Sequence, residues 1–328
     1  LKTLVFSAGI ALIAVSAFAQ EKRTLSFTLE NDSFFGTDRY YTQGARLEYM
    51  HYPNDVPKFV GSTLTNFATF GMQVDRTRMG GALGQELFTP SWIRPTFALL
   101  NDRPYAAWMH GSLIFRRSGK FGGVQGLDAQ DEIEMDLGVV GPEALGEDTQ
   151  KWWHHITGDV QPGGWDHQLR TEPALQFYFN RAFRFGVHTE NYWGLECIPH
   201  LKAAVGTVYD FAEGGMTMRA GFNLPTDFIR SPLESYSTHP SDNPPKWSAY
   251  VFTGADGRVV GRNLFLDGST WRSSQSVDKE LFVADFRVGG AVRYEFFELV
   301  ASLVHRTREF KGQIADENFL SITTQFHF

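Results

Sequence analysis

From Leu25 onward, apolar and polar residues alternate far more often than they recur at helical spacing. Leu25, Phe27 and Leu29 interleave with Thr24, Ser26, Thr28 and Glu30, the period of two that puts successive side chains on opposite faces of a strand. At the other end, Leu320, Ile322, Phe326 and Phe328 share one face, and Ser321, Thr323, Gln325 and His327 share the other. The pattern returns at Ala45-Leu47-Tyr49, Leu83-Gln85-Leu87, Tyr105-Ala107-Met109, Ile133 to Val139, Phe177 to Phe179, Phe183 to Val187, Ala203-Val205, Phe286-Val288 and Leu299 to Leu303. Spacing and length together predict roughly a dozen antiparallel strands. Residues 53–79 and 226–246, the latter rich in Pro and Ser, do not follow the pattern and read as long turns or plugs.

One apolar run interrupts this alternation. It extends from Leu4 to Val15 and is followed by Ala17-Phe18-Ala19 before Gln20. It is shorter than the ~20 residues of a spanning helix and ends in small residues, so residues 1–19 read as a secretory signal peptide and 20–328 as one domain. No later run is long enough for a helical span, which leaves strands as the means of crossing a membrane. The 29 Phe, 11 Tyr and 8 Trp coexist with a mean hydropathy of -0.25. That profile fits an all-β transmembrane antiparallel barrel, whose lipid-facing residues alternate with polar lumen residues and whose rings gather at the interfaces. The closing amphipathic strand resembles the last strand of a bacterial outer-membrane protein; at the edge of a soluble sandwich its apolar face would need cover. The net charge of -7, with no basic stripe, argues against a nucleic-acid partner. The single Cys197 excludes an intrachain disulfide and reads as a small packing residue.

Barrels of this kind keep both termini in the periplasm, with short turns there and long loops outside. The first strand then runs outward and reaches the rim after ~9–11 residues, at Glu30-Asn31-Asp32. A tight loop containing Gly36 and Asp38 leads back through Thr42-Gln43-Gly44. Strands over 81–88, 104–115 and 131–140 follow, which places 141–168 outside. Within that segment, Pro142 suits a helix start and Gly158 a stop, so a short external helix is expected over 141–158. Gln150 and His154, four apart, share one face of it, whereas His155 points elsewhere. Trp152 and Trp153 suit a membrane–water interface. Asn31 and Asp32 offer side-chain oxygens at the rim, and Thr42 with the backbone around Gly44 adds hydroxyl and carbonyl oxygens. This hard-oxygen set suits Ca2+ better than zinc, although Asn-Asp before a loop equally describes an Asx-turn.

Several blocks carry a family resemblance. They are Glu30-Asn31-Asp32 with Thr37-Asp38-Arg39-Tyr40-Tyr41-Thr42-Gln43-Gly44, then Asp102-Arg103-Pro104-Tyr105-Ala106, then Gly138-Val139-Val140-Gly141-Pro142 leading to Gln150 and His154, and finally Gly164-Trp165-Asp166 with Gln168. In this order they resemble the LpxR-type lipid A 3'-O-deacylase family, over roughly the first half of the mature chain. The resemblance implies a barrel of about 12 strands in the Gram-negative outer membrane, with a site between its outer wall and the external helix, facing outer-leaflet lipid A. His154 would act as general base with Gln150 beside it, and Ca2+ held by Asn31, Asp32, Thr42 and Gly44 would polarise the ester carbonyl. Parity agrees for Asn31, which shares its face with Leu25, Phe27 and Leu29. Thr42 is out of phase with Leu47 and Tyr49, so a bulge or a backbone contact is needed to bring it to the site.

The chain also departs from the family. A basic pair expected after the third strand has only Arg94 as a loose match, so Arg94 and Arg103 are the candidates for substrate phosphate. An acidic residue expected shortly after the histidine is Val160, with Asp159 beside it. Two rivals stand: a barrel phospholipase or esterase of other specificity, and a porin-like barrel with a charged, open lumen. No Gly-x-Ser-x-Gly, His-Glu-x-x-His or Cys-x-x-Cys motif supports other hydrolase or metal chemistry. A monomer, inserted by the barrel-assembly machinery, is expected.

Overall fold

The structure is a computed structural model that describes residues 23–51, 56–122, 127–190, 192–228 and 246–328; the expected signal peptide lies outside them. Among the described residues, twelve antiparallel strands form a closed barrel. The first six are β1 (Thr24–Asn31), β2 (Tyr40–Met50), β3 (Met72–Thr89), β4 (Ala106–Phe121), β5 (Asp128–Val140) and β6 (Glu172–His188). The others are β7 (Trp193–Gly206), β8 (Tyr209–Phe222), β9 (Trp247–Asn263), β10 (Phe282–Tyr294), β11 (Phe297–Arg306) and β12 (Glu317–His327). Each strand pairs with its neighbours in sequence, and β1 closes on β12 from Thr24↔His327 to Asn31↔Leu320. Both described ends therefore lie at one end of the barrel, called here the terminal end; the loop end is opposite.

The alternation read in the sequence separates the two faces. Thr24, Ser26, Thr28 and Glu30 are buried inside, while Phe27 is exposed on the wall. On β12, Phe319, Ser321, Thr323, Gln325 and His327 are buried and the residues between them are not. Paired charges line the lumen: Arg46 Nη2 lies 2.8 Å from Glu134 Oε1, Arg116 Nη2 lies 2.9 Å from Glu48 Oε1, and Arg287 Nη2 lies 2.7 Å from Asp256 Oδ2. Ion pairs in a partly dry interior are held by geometry and are costly to leave half-made.

Two expectations about segment bounds change. The third strand begins at Met72, not near 81, because a register shift between Val74 and Arg76 breaks the period of two there. What remains of 53–79 includes a helix, α1 (Lys58–Asn66). The external helix, α2, spans Gly146–Thr157, whereas Pro142 starts a separate 3-10 turn, Pro142–Ala144, ended by Leu145 at φ 58°. Gly158 ends α2 as expected, at φ 80° with its N–H bonded to the His154 carbonyl.

The folded barrel should migrate differently on a detergent gel before and after boiling, because closure leaves no free strand edge. Arg116→Met removes the guanidinium shared by buried Glu48 and Glu132. It should lower stability by about 3 kcal/mol, read as an earlier loss of the unboiled band on heating. An unchanged conversion temperature would show that the lumenal pairs carry no stability.

Candidate active site

At the loop end, an apolar layer is buried on the outside of the wall. Leu87, Ala107 and Met109 alternate with lumenal neighbours, yet Leu87 and Ala107 are covered by Ile93, Tyr105, Ala144 and Trp165. The β3–β4 and β5–β6 connections supply this cover and carry α2, which packs on β3 and β4. Tyr105 Oη donates to the Ile93 carbonyl at 2.9 Å, and Gln85 Nε2 to the Ala144 carbonyl at 2.7 Å. A polar site can therefore form on the wall's outer surface without facing the lumen.

Asn31 pairs with Gln43 across β1 and β2, and Gln43 with Leu87 across β2 and β3, so all three face outward. The register shifts between Tyr41 and Gln43, leaving Thr42 as the extra residue of a bulge. Its hydroxyl meets that of Thr89 at 2.7 Å. The phase conflict of Thr42 is thus resolved by the bulge, which brings it to the outward side. Gly44 sits one step further down the ladder, between Glu30 and Glu86.

Asn31 makes the Asx-turn, its Oδ1 accepting the Ser33 N–H at 2.8 Å. Asp32, 1% exposed, accepts the Arg39 N–H on Oδ2 at 2.9 Å, and the Phe35 N–H and Thr37 hydroxyl on its main-chain oxygen. Its Oδ1 is buried with no hydrogen-bond partner. Burial pushes the Asp32 carboxyl up to about 8; the Arg39 N–H opposes this and the nearby charge of Asp38 adds to it. A buried carboxylate oxygen without a hydrogen-bond partner is a fit for a hard cation. Among the described residues, no group of three or more His, Cys, Asp or Glu could hold a metal, so a cation here depends on neutral oxygens such as those of Asn31 and Thr42.

α2 turns Gln150 and His154 toward the wall, 1% and 3% exposed, and leaves His155 in solvent. Both buried side chains meet Asp38. Gln150 Nε2 donates to Asp38 Oδ1 at 2.9 Å, and His154 Nε2 lies 2.9 Å from Asp38 Oδ2. Trp165 Nε1 donates to Gln150 Oε1 at 2.7 Å, which fixes the amide's orientation. His154 Nδ1 lies 2.5 Å from the main-chain oxygen of Val160. Both ring nitrogens therefore face acceptors. Burial pushes the imidazole down, but the Asp38 hydrogen bond and charge, helped by the Val160 carbonyl, outweigh it and hold the pKa above its ordinary value.

The structure turns Asn31 and Thr42 to the outward side of the rim and Gln150 and His154 toward Asp38, with Asp32 in the same hairpin turn as Asp38. It treats the two candidate arginines differently: Arg94 is exposed, while Arg103 is buried, 3.0 Å from Glu309 Oε2 and stacked 4.7 Å from the Phe88 ring. Arg103 thus serves the barrel mouth, and Arg94 alone of the pair is open to solvent. Sequence reasoning gave no role to Asp38 or Trp165, although both stand in the quoted blocks. Their contacts link a hairpin loop to a helix 112 positions later, which no local period reveals. At position 160 the histidine is met by the main-chain oxygen and not by the Val160 side chain.

A solved structure described as LpxR from Salmonella typhimurium superimposes with a TM-score of 0.74 at 21% identity, over 93% of this chain and 100% of that one. The beta domain of the Bordetella autotransporter BrkA aligns over 94% of this chain and 100% of its own at 9% identity, with a TM-score of 0.48. No curated protein matches. The family model described as outer membrane protein LpxR matches residues 4–328, so this chain, a closed twelve-stranded barrel, belongs to the LpxR family.

Proposed function

We propose that this protein is an outer-membrane lipid A deacylase that hydrolyses a 3'-linked acyl or acyloxyacyl ester, with its loop end toward the cell exterior. The observation that carries this reading is the Gln150–His154–Asp38 cluster, buried under α2 on the membrane side of the wall. A lumenal enzyme would have no reason to build its polar cluster there, whereas one acting on a lipid needs its base where lipid can arrive.

In this reading His154 is the general base. The Val160 carbonyl holds the proton on Nδ1, and Nε2, which lies against Asp38 Oδ2, exchanges that contact for an attacking water in order to take its proton. Asp38 fixes the ring's direction and stabilises the imidazolium once the proton has been taken. Gln150, clamped by Asp38 and Trp165, keeps the floor of the site rigid. Asn31, Asp32, Thr42 and Gly44 would hold Ca2+, which when bound supplies positive charge for the ester carbonyl and the developing oxyanion. The exposed Arg94 is the side chain open to a lipid phosphate.

The acyl pattern of lipid A, read by mass spectrometry from cells with and without the protein, tests the reaction itself; an unchanged pattern rejects it. His154→Asn should lose ~10²–10⁴-fold in rate while keeping the unboiled gel band, and His155→Asn should be mild. A dead His155→Asn variant beside an active His154→Asn would place the base on the wrong histidine. Chelation should abolish hydrolysis, zinc should fail to restore it, and Asp32→Ala should mimic chelation; full activity in excess chelator would refute the metal assignment.

The pH dependence follows from the histidine's surroundings. A raised imidazole pKa means the base is unprotonated only at higher pH, so activity should rise with pH through a midpoint above the ordinary value of 6.5. Asp38→Asn removes the charge that raises it and should move that midpoint down, alongside a lower maximal rate. A midpoint that stays put or moves up would show that Asp38 does not govern the base.

A further inference from the structure

At the terminal end, three charged side chains point the wrong way for a barrel in lipid. Thr77, Arg117, Asp131 and Arg181 are register partners in adjacent strands. Their sequence neighbours Arg116 and Glu132 pair with each other, and Arg116 with Glu48, inside the lumen. Strand alternation therefore turns Arg117, Asp131 and Arg181 outward. All three are nevertheless buried. Asp131 Oδ2 accepts Arg117 Nε at 2.8 Å and Arg181 Nη2 at 2.7 Å, and its Oδ1 accepts Arg181 Nε at 2.6 Å.

The cover is the chain that follows α1. Arg117 donates from Nη1 to the Phe67 carbonyl at 2.6 Å and from Nη2 to the Ala68 carbonyl at 2.8 Å, and Arg181 Nη2 donates to the Thr69 carbonyl at 2.7 Å. Ala68 and Phe70 adopt φ of 48° and 47°, left-handed conformations that non-glycine residues hold only when the surroundings impose them. With its carbonyls turned onto the guanidinium groups, this strap leaves its rings largely exposed, the Phe70 ring also lying 5.5 Å from the Arg181 guanidinium. Phe67 and Phe70 are 68% and 67% exposed, and Phe59 of α1 is 83% exposed.

Those rings continue the surface of the wall. Phe179 and Phe183 flank Arg181 on its outward face. Phe70 packs edge-on against Phe179 at 6.3 Å, and Phe121 against Phe183 at 5.3 Å. Residues 56–74 contain no acidic side chain, and Lys58 is exposed at the start of α1. We propose that residues 58–70 are a lipid-contacting foot that seals the Arg117–Asp131–Arg181 triad and seats Phe59, Phe67 and Phe70 in the glycerophospholipid leaflet at the terminal end. The occupant follows from continuity with the membrane-facing wall: rings that continue the surface at Phe179 meet what Phe179 meets, and the exposed Lys58 complements lipid phosphate. The foot also allows a salt-bridged triad to stand where bare charge is costly in lipid.

Site-directed spin labelling tests this, because the strap's polar contacts are made by main-chain carbonyls and the Phe67 and Phe70 side chains are largely exposed. In a Cys197→Ser background, nitroxides at Phe67→Cys and Phe70→Cys are compared with references at Leu113→Cys, on the exposed wall, and Glu190→Cys, in an exposed turn. The full chain is reconstituted in phosphatidylethanolamine–phosphatidylglycerol vesicles, and collisions with oxygen and with a water-soluble nickel chelate are measured. Positions 67 and 70 should share the oxygen-dominated ratio of position 113; a nickel-dominated ratio like that of position 190 overturns the proposal and places the strap in water or against another protein. Arg181→Gln should raise nitroxide mobility at position 70 while the unboiled gel band persists. Unchanged mobility in both Arg181→Gln and Arg117→Gln would show that the triad does not hold the strap. If either variant loses the unboiled band, the collision ratios in the parent chain still decide.

Discussion

In a hydrocarbon layer no water is at hand to pair a backbone N–H or C=O, so every strand must find its partners in its neighbours. The pairing of β1 with β12 completes that requirement, and much else follows from it. Once the ladder is closed, each residue's side of the wall is set by counting, and a one-residue change in register would move a whole set of side chains from lumen to lipid. Ion pairs such as Arg46–Glu134 accumulate inside and rings outside as a result. Exceptions to the count need a local device, and the two most informative regions of the molecule are such exceptions.

The first is the bulge at Thr42. By admitting one extra residue into β2, it turns that hydroxyl toward Thr89 and the outward rim, next to the Asn31–Gln43 pair. The second is the Arg117–Asp131–Arg181 triad, where no bulge intervenes and the correction comes from a covering strap. In both cases polar groups lie on the membrane side of the wall under a segment contributed by a connection. At the loop end the covered groups surround a histidine and an orphaned carboxylate oxygen. At the terminal end each charge is saturated by its neighbours. That difference distinguishes a site with chemistry left to do from one that only has to be sealed.

The sequence makes much of this legible because a barrel's information is mostly local. Alternation at Leu25–Leu29 and at Leu320–Phe328 identifies the strands that close the barrel, and helical spacing alone separates His154 from His155. Where the period fails, so does the reading: residues 72–80 go unrecognised as strand because of the shift at Val74, and the start of α2 is displaced because Pro142 opens a separate turn. The candidate site is legible as a set of residues but not as a set of contacts. Asp38 and Trp165 earn their roles through partners far along the chain, and Arg103 is drawn away by Glu309 on the opposite side of the sequence. The foot was invisible for the same reason, since nothing in Phe67-Ala68-Thr69-Phe70 announces that its carbonyls are needed by two arginines.

The contact between His154 and the main chain at Val160 bears on how such a site can be altered without being lost. A carbonyl is present whatever residue occupies the position, so side-chain identity at 160 is decoupled from the imidazole's orientation. What the contact demands is metric. The number of residues from the end of α2, through the left-handed Gly158, sets where that oxygen falls relative to the ring. Substitution there leaves the alignment intact, whereas inserting or deleting one residue between 154 and 160 dissolves it, so the site is encoded at this point by chain length and handedness rather than by letters.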